Sequence, residues 1–400
     1  MLCARAALKL SVARTYGARF STHHYPQKGD RVVLGMSGGI DSSVSAKLLA
    51  AQDYDLSAVF MRNWDTRDEY GTSDKGCEWE KDWDDVQKVC KVYDIPCEMV
   101  DLSKEYWNRV FEPSLRMWED GITPNPDVWC NREIKFGALF EHLPQANTAK
   151  PPWLATGHYA RKDWSSSRPR LLRAADTAKD QSYYLSSIPQ EGLSRALFPI
   201  GGFTKPEVRR IAQDGDMPTS VLEREESMGL CFIGEKKRTD FKEFISSYIT
   251  PSPGPVKMLS TGRILSEHNG LWSFTIGEKI RLRGMPEKMY VAQKDIPTNT
   301  IFVAPGRDPS LLCNSVRVRD FSWIWRDSPP AGLRDGVQLS AQIRHRMRSV
   351  LCTVKVHDDQ THTDIDIVFD EPLKGVASGQ VSALWDGDWC LGCGIITTAM

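Results

Sequence analysis

The stretch RVVLGMSGGIDSSVSAKLLAAQ, residues 31–52, decides the fold. RVVLGM is a short apolar run that predicts a buried strand, and VSAKLLAAQ carries apolar residues at helical spacing. Between them lies the glycine-rich turn SGGIDSS. A strand that turns into a helix is where phosphate sites are built. Gly38 and Gly39 let backbone amides approach a polyphosphate, Ser37 and Ser42 add hydroxyl donors, and the helix N-terminus adds a favourable dipole. Asp41 then stands as a candidate Mg²⁺ ligand beside the phosphates. No G-x-x-x-x-G-K-[ST] is present, so this is not a Walker A loop. An ordinary glycine-rich turn is the plainer alternative.

Outward from this stretch the alternation continues. LSAVFM at 56–61 predicts a second strand, followed by a polar insert up to about Lys81. Trp79, Trp83, Val86, Val89, Cys90 and Tyr93 fall on one helical face, a core stripe rather than a cofactor site. CEMVDLS at 97–103 and WLATGHYA at 153–160 predict further strands, so the first domain reads as α/β, a doubly wound parallel sheet. After about Gly234 the pattern changes. Pro251, Pro253, Gly254 and Pro255 mark a loop, and short strands such as MYVAQKD, TIFVAPG, SVLCTVKV and DIDIVFD follow. They predict a small middle domain and then an all-β barrel. The expected boundaries are 1–29, 30–234, 235–305 and 306–400.

Four hundred residues suggest two or three domains, and 41% apolar with 26% charged residues is ordinary for a globular protein. No apolar run approaches the ~18 residues that span a bilayer, so no membrane partner is expected. The net charge of -1 gives no general argument for a nucleic-acid partner, which would have to meet a local basic surface. Ten irregularly spaced cysteines do not make a disulfide scaffold and suggest reduced thiols. Cys390 and Cys393 form a lone C-x-x-C, which argues against zinc.

Residues 1–29 carry Arg5, Lys9, Arg14, Arg19 and Lys28, and no acid precedes Asp30. With their small, apolar and hydroxyl residues they resemble a mitochondrial transit peptide, against the alternative of a basic tail. The expected location is the mitochondrial matrix.

TPNPDVWCNREIKF, residues 123–136, places Cys130 behind Pro124 and Pro126, with Asp127 three residues before it and a charged run after it. A buried structural cysteine more often sits in an apolar run, so the setting suggests an accessible thiol. A loop cysteine before a helix is the competing reading. Asp127 is placed for general acid or base work, or for an Asx turn or helix cap. His158 in ATGHYA is a candidate that also fits a hydrogen-bonded histidine at a strand end.

S-G-G-x-D-S resembles the PP-loop of ATP pyrophosphatases. The loop alone does not choose within that superfamily. FMRNWD at 60–65, EYWNRVFEP at 105–113, TPNPDVWCN at 123–131, ATGHYAR at 155–161, KDQSYYL at 179–185, LFPIGGFTKPEVR at 197–209 and GLCFIGE at 229–235 do. In order and spacing these resemble the tRNA-specific 2-thiouridylases in their mitochondrial form, from about Arg31 to CLGCGII at the end of the chain. The chain departs in having SMGL ahead of Cys231 and IGEKIRLRGMPE where a glycine-rich loop is usual.

The resemblance implies ATP-dependent thiolation at C2 of the wobble uridine of mitochondrial tRNAs, releasing AMP and pyrophosphate, with ATP, Mg²⁺ and persulfide sulfur from a cysteine desulfurase or sulfur-relay protein. It places Gly35, Met36, Ser37, Gly38, Gly39, Ile40, Asp41, Ser42, Met61 and Gly157 at ATP, Asn125, Pro126 and Asp127 at the target base, and Lys179, Asp180, Gln181, Arg344 and His345 on tRNA. Sulfur exchange needs a second thiol to free the carrier. Cys231 is expected to bear the persulfide, and Cys130 to resolve the intermediate. The base must be flipped out of its stack to react. Arg317, Arg319, Arg346 and Arg348 are further candidates for phosphate contact. The alternative is another PP-loop enzyme, a lysidine ligase-type or amidotransferase-type synthetase, which needs no second cysteine.

Overall fold

β1 (Arg31–Met36) is the central strand of a parallel sheet, and its residues 32–36 are all buried. A computed structural model describes residues 24–64, 78–143, 151–165, 167–224, 238–357 and 363–400. Cys231 and most of the expected transit peptide lie outside the described residues. Two compact units are present. The first comprises the described residues within Met1–Trp107, Cys130–Glu235 and Asp388–Cys390, and the second those within Asn108–Trp129, Lys236–Gly387 and Leu391–Met400.

In the first unit β1 pairs in parallel with β2 (Asp55–Arg62) and, on its other side, with β4 (Trp153–Thr156). β3 (Cys97–Asp101) and β7 (Ala196–Leu197) extend the sheet to the order β3-β2-β1-β4-β7. The chain thus leaves β1 toward one side and returns on the other, which puts the topological switch point between β1 and β4. Helix α1 (Ile40–Ala50) follows β1 directly and buries Val44, Ala46, Leu48 and Leu49 in the core. Helix α2 (Glu78–Tyr93) buries Val86, Val89 and Cys90, with Trp79, Trp83 and Tyr93 packed at the margin, as its apolar stripe predicts. Helix α3 (Lys205–Gln213) begins with a capping box between Thr204 and Glu207. The hairpin of β5 (Arg161–Ser165) and β6 (Arg168–Leu172) pairs with Trp389 and Cys390, which count with this unit.

His24–Gly29, placed in the transit peptide by sequence, are part of this unit's packing. His24 stacks on Trp164 at 4.2 Å, Tyr25 O–H donates to the Lys162 carbonyl at 3.1 Å, and Gly29 N–H donates to the Asp53 carbonyl. Lys162 Nζ lies 5.0–5.5 Å from the ring centroids of Tyr25, Trp153 and Trp164. Arginine spacing carries no information about this clasp.

In the second unit β8 (Gly254–Met258), β9 (Ile264–His268), β10 (Lys279–Ile280), β11 (Met289–Asp295) and β12 (Thr300–Pro305) form a sheet in the order β10-β11-β12-β8-β9. Helix α4 (Arg238–Ser246) brings Phe241 and Phe244 against Trp118 and Phe111, with ring centroids 5.6 and 5.9 Å apart. The remaining strands are β13 (Leu312–Trp323), β14 (Val337–Gln342), β15 (Val350–Val356), β16 (Ile365–Lys374), β17 (Val381–Asp386) and β18 (Trp389–Ala399). They run β13-β16-β15-β14-β17-β18, and a β13–β18 pairing closes the barrel. Closure pairs the barrel's first strand with its last.

Candidate nucleotide site and thiol segment

β1 ends at Met36 and α1 starts at Ile40, so three residues make the turn. Gly38 adopts φ +75°, where a side chain is strained, and a Cβ there would lie 2.8 Å from the Asp82 carbonyl oxygen and 2.9 Å from Arg224 Nη1. Gly39 is the N-cap of α1 and no side chain caps it. The first-turn amides have no intrahelical acceptor, so this end is built to take an anion.

The two serines divide their work. Ser42 is buried; its hydroxyl donates to the Gly39 carbonyl at 3.0 Å and accepts from Ser37 N–H at 3.3 Å, which closes the loop. Ser37 is exposed, and its hydroxyl lies 3.4 Å from that of Ser42. Met36, assigned to the nucleotide by sequence, has its side chain in the core, where Cys90 Sγ lies 3.6 Å from its sulfur. Only its backbone faces the turn. Met61 is half-buried near the end of β2, and Ile40 packs partly against the core. At Gly157 a Cβ would come within 2.9 Å of Ser42 N, so the residue after β4 must be glycine for this strand end to meet the first turn of α1.

Asp41 is held by groups that the motif does not contain. Lys205 Nζ lies 2.8 Å from its Oδ1 and 2.9 Å from its Oδ2, and Tyr159 O–H donates to Oδ1 at 2.8 Å. A second cation, Arg224, borders the loop and pairs with Asp82 and, at 3.7 Å, with Asp85. Ser220 O–H donates to Asp85 at 2.6 Å. The only sequence signal for Lys205 was its place in LFPIGGFTKPEVR; nothing marked Arg224.

His158 is buried and linked on both ring nitrogens. Lys135 Nζ lies 3.3 Å from Nε2, and Thr156 Oγ1 lies 2.8 Å from Nδ1. An ammonium can only donate, so Nε2 accepts and the ring proton sits on Nδ1, donating to Thr156. Burial, reinforced by Lys135, holds the imidazole pKa well below its ordinary value.

A helical turn (Pro126–Trp129) runs directly into a π-helical stretch (Cys130–Ala138). Cys130 is 4% exposed. The accessible loop thiol expected from its charged neighbours is therefore corrected: Trp129, Cys130 and Asn131 are all buried, while Arg132, Glu133 and Lys135 are only half-buried. Neighbours in sequence point to different sides of a helix, so charge beside a cysteine does not set its exposure. The residues before it are pinned within the second unit. Gln380 Nε2 donates to the carbonyls of Thr123 and Pro124 at 3.0 and 3.1 Å, and Thr123 N–H donates to Ser378. Asn125 and Asp127 are half-buried and Pro126 is buried.

The proposed tRNA residues fall into two groups. In the first unit, Asp180 accepts from Ala174 N–H, Ser182 and Arg173, and Gln181 Oε1 accepts from Tyr159 N–H at 3.0 Å. Those two side chains shape the turn that carries the half-buried Lys179. In the second unit, Arg344, Arg346 and Arg348 are exposed on the connection between β14 and β15, and His345 is half-buried. Arg317 and Arg319 are engaged with Asp366 and Asp364 at 2.9 and 3.8 Å. Trp323 is core, 4.3 Å from the Phe321 ring centroid.

The residues fit ATP: a glycine cradle a Cβ would fill, an uncapped helix N-terminus and an exposed hydroxyl. Asp41 is a carboxylate beside this turn, and Mg²⁺ is commonly bound through one or two carboxylates together with substrate phosphates. Among the described residues no helix is long and apolar enough to cross a membrane.

Three family models match in succession: the tRNA methyl transferase HUP domain over residues 30–235, its PRC-barrel domain over 242–305, and the aminomethyltransferase beta-barrel domain over 313–396. The chain is similar to the tRNA-specific 2-thiouridylase MnmA of Shewanella amazonensis, 40% identical over 375 residues, covering 92% of this chain and 94% of the relative. The enzyme of that name from Alkaliphilus oremlandii is 40% identical over 370 residues, covering 91% and 96%. That from Aeromonas hydrophila is 38% identical over 372, covering 92% and 96%. With likeness of this degree along nearly the whole of both chains, the protein belongs to the tRNA-specific 2-thiouridylase family.

Proposed function

We propose that the protein is an ATP-dependent tRNA 2-thiouridylase that converts the wobble uridine of mitochondrial tRNAs to 2-thiouridine. The observation that carries this reading is 40% identity to a tRNA-specific 2-thiouridylase over 375 residues, spanning the phosphate loop and the thiol segment. Uracil O2 is a poor leaving group, so the oxygen is adenylated with release of pyrophosphate, and sulfur then displaces AMP. The loop amides from Gly38 to Asp41 and the Ser37 hydroxyl bind the phosphates. Mg²⁺ bound at Asp41 would neutralise phosphate charge.

Cys231 carries the sulfur as a persulfide received from a desulfurase or relay protein. Its terminal sulfur bonds to C2 as the C2–O bond to AMP breaks. The Cys130 thiolate then attacks the Cys231 sulfur, 2-thiouridine leaves, and a Cys130–Cys231 disulfide remains for an external thiol to reduce. Asn125, Pro126 and Asp127 face the base, and Lys179, Arg344 and His345 contact the tRNA. Residues upstream of His24 direct the chain to the mitochondrial matrix. A lysidine ligase or amidotransferase-type synthetase is not favoured, because neither chemistry uses two thiols.

Mass spectrometry of tRNA nucleosides from cells lacking the protein tests the function. Loss of 2-thiouridine, restored by the wild-type chain but not by Cys130→Ser or Cys231→Ser, is the expected result. Restoration by Cys231→Ser would sink the persulfide relay.

A further inference from the structure

Asp41 places a carboxylate in the first turn of α1, at the end built to receive phosphate. A polyanion arriving there meets a like charge unless a cation stands with it. That cation is Lys205, 2.8 and 2.9 Å from the two carboxylate oxygens, its side chain 10% exposed. Its ammonium also lies 5.8 Å from the Tyr159 ring centroid. The backbone that carries it is fixed: Lys205 N–H donates to Asp176 at 2.8 Å, and the Thr204–Glu207 capping box sets the start of α3. The long side chain is thus the part that can change partner.

The second cation at the loop differs. Arg224 serves two carboxylates, Asp82 and Asp85, whereas Lys205 serves the carboxylate that a metal at the phosphates would claim. Once a metal takes Asp41, an ammonium this buried needs another anion beside it, because a buried charge whose partner is withdrawn is costly. A phosphate oxygen is the anion at hand, and lysine binds phosphate as a point charge.

We infer that Lys205 is an exchangeable cation of the nucleotide site, holding Asp41 in the free protein and passing to the β- and γ-phosphates of ATP when Mg²⁺ takes Asp41. Tyr159 keeps the carboxylate in place during the exchange. The inference rests on the ATP reading above.

Calorimetric titration of the full chain with ATP and with AMP, each in Mg²⁺ and in EDTA, tests it. Lys205→Met lowers the affinity for Mg-ATP about tenfold or more and leaves AMP within about twofold, as expected for losing a charged hydrogen bond to the outer phosphates. Lys205→Arg keeps Mg-ATP within about threefold, since the charge survives. Asp41→Asn releases the ammonium from its ion pair and tightens metal-free ATP by about threefold or more, a gain that Asp41→Asn/Lys205→Met loses. This arm retains Lys205 and stands even if Lys205→Met does not fold. Unchanged Mg-ATP binding by folded Lys205→Met, equal losses for ATP and AMP, or weaker metal-free ATP binding by Asp41→Asn each overturns the exchange. A wild-type chain that binds no ATP overturns the nucleotide reading and the exchange together. Binding by the wild type without discrimination among the variants overturns the exchange alone.

Discussion

Nζ of Lys135 lies 3.3 Å from Nε2 of His158, so a cation from the Cys130 segment is bonded to the histidine two residues beyond β4. The ring is neutral, with its pKa pushed down by burial first and by Lys135 second. An unfolded chain regains an ordinary histidine near pH 6.5 and takes up a proton there that the folded chain refuses. Unfolding is then favoured on the acid side: the stability is present above about pH 6.5 and falls below it by up to roughly 1.4 kcal/mol per pH unit. His158→Asn removes this titration. Melting curves of the two proteins from pH 7.5 to 5.5 should converge toward acid, and parallel curves would disprove the assignment.

Gly38→Ala puts a Cβ 2.8 Å from the Asp82 carbonyl at a residue with φ +75°. We expect a loss of roughly 1–3 kcal/mol from strain and crowding, together with loss of ATP binding. Thermal melting and nucleotide titration check both. An alanine variant that melts and binds like the wild type would show that the turn tolerates a side chain.

Burial of Cys130 predicts protection from alkylation. In the free protein, iodoacetamide should modify Cys130 at least about tenfold more slowly than in urea, because the reacting thiolate must be exposed. Peptide mapping by mass spectrometry follows the site. Equal rates would mean that the π-helical stretch opens readily.

The clasp around Lys162 predicts how far the chain can be shortened from its N-terminal side without loss of stability. A chain beginning at His24 should melt with the full-length protein, whereas one beginning at Asp30 loses Tyr25 and the stacked His24. Tyr25→Ala should cost about 1–3 kcal/mol, less than for a fully buried aromatic because Tyr25 is half-buried. Identical melting of the two truncated chains would remove His24–Gly29 from the fold.

Much was legible in the sequence because it is local. The run RVVLGM became β1 residue for residue, MYVAQKD became β11, and the stripe from Trp79 to Tyr93 became the inner face of α2. Each follows from periodicity, which a strand or helix imposes on its own residues whatever it packs against. The strand, glycine-rich turn and helix of residues 31–50 were legible for the same reason, since they are contiguous. What only the tertiary structure decided was the partner of each polar group. Lys205 reaches Asp41 across 164 positions and Arg224 reaches Asp82 across 142. Gln380 holds Thr123 from 257 positions away, and Cys130 is buried despite its charged neighbours. A side chain's ionic partner and its exposure depend on which strands and helices meet in space, and the sequence records that only through the packing of the whole chain.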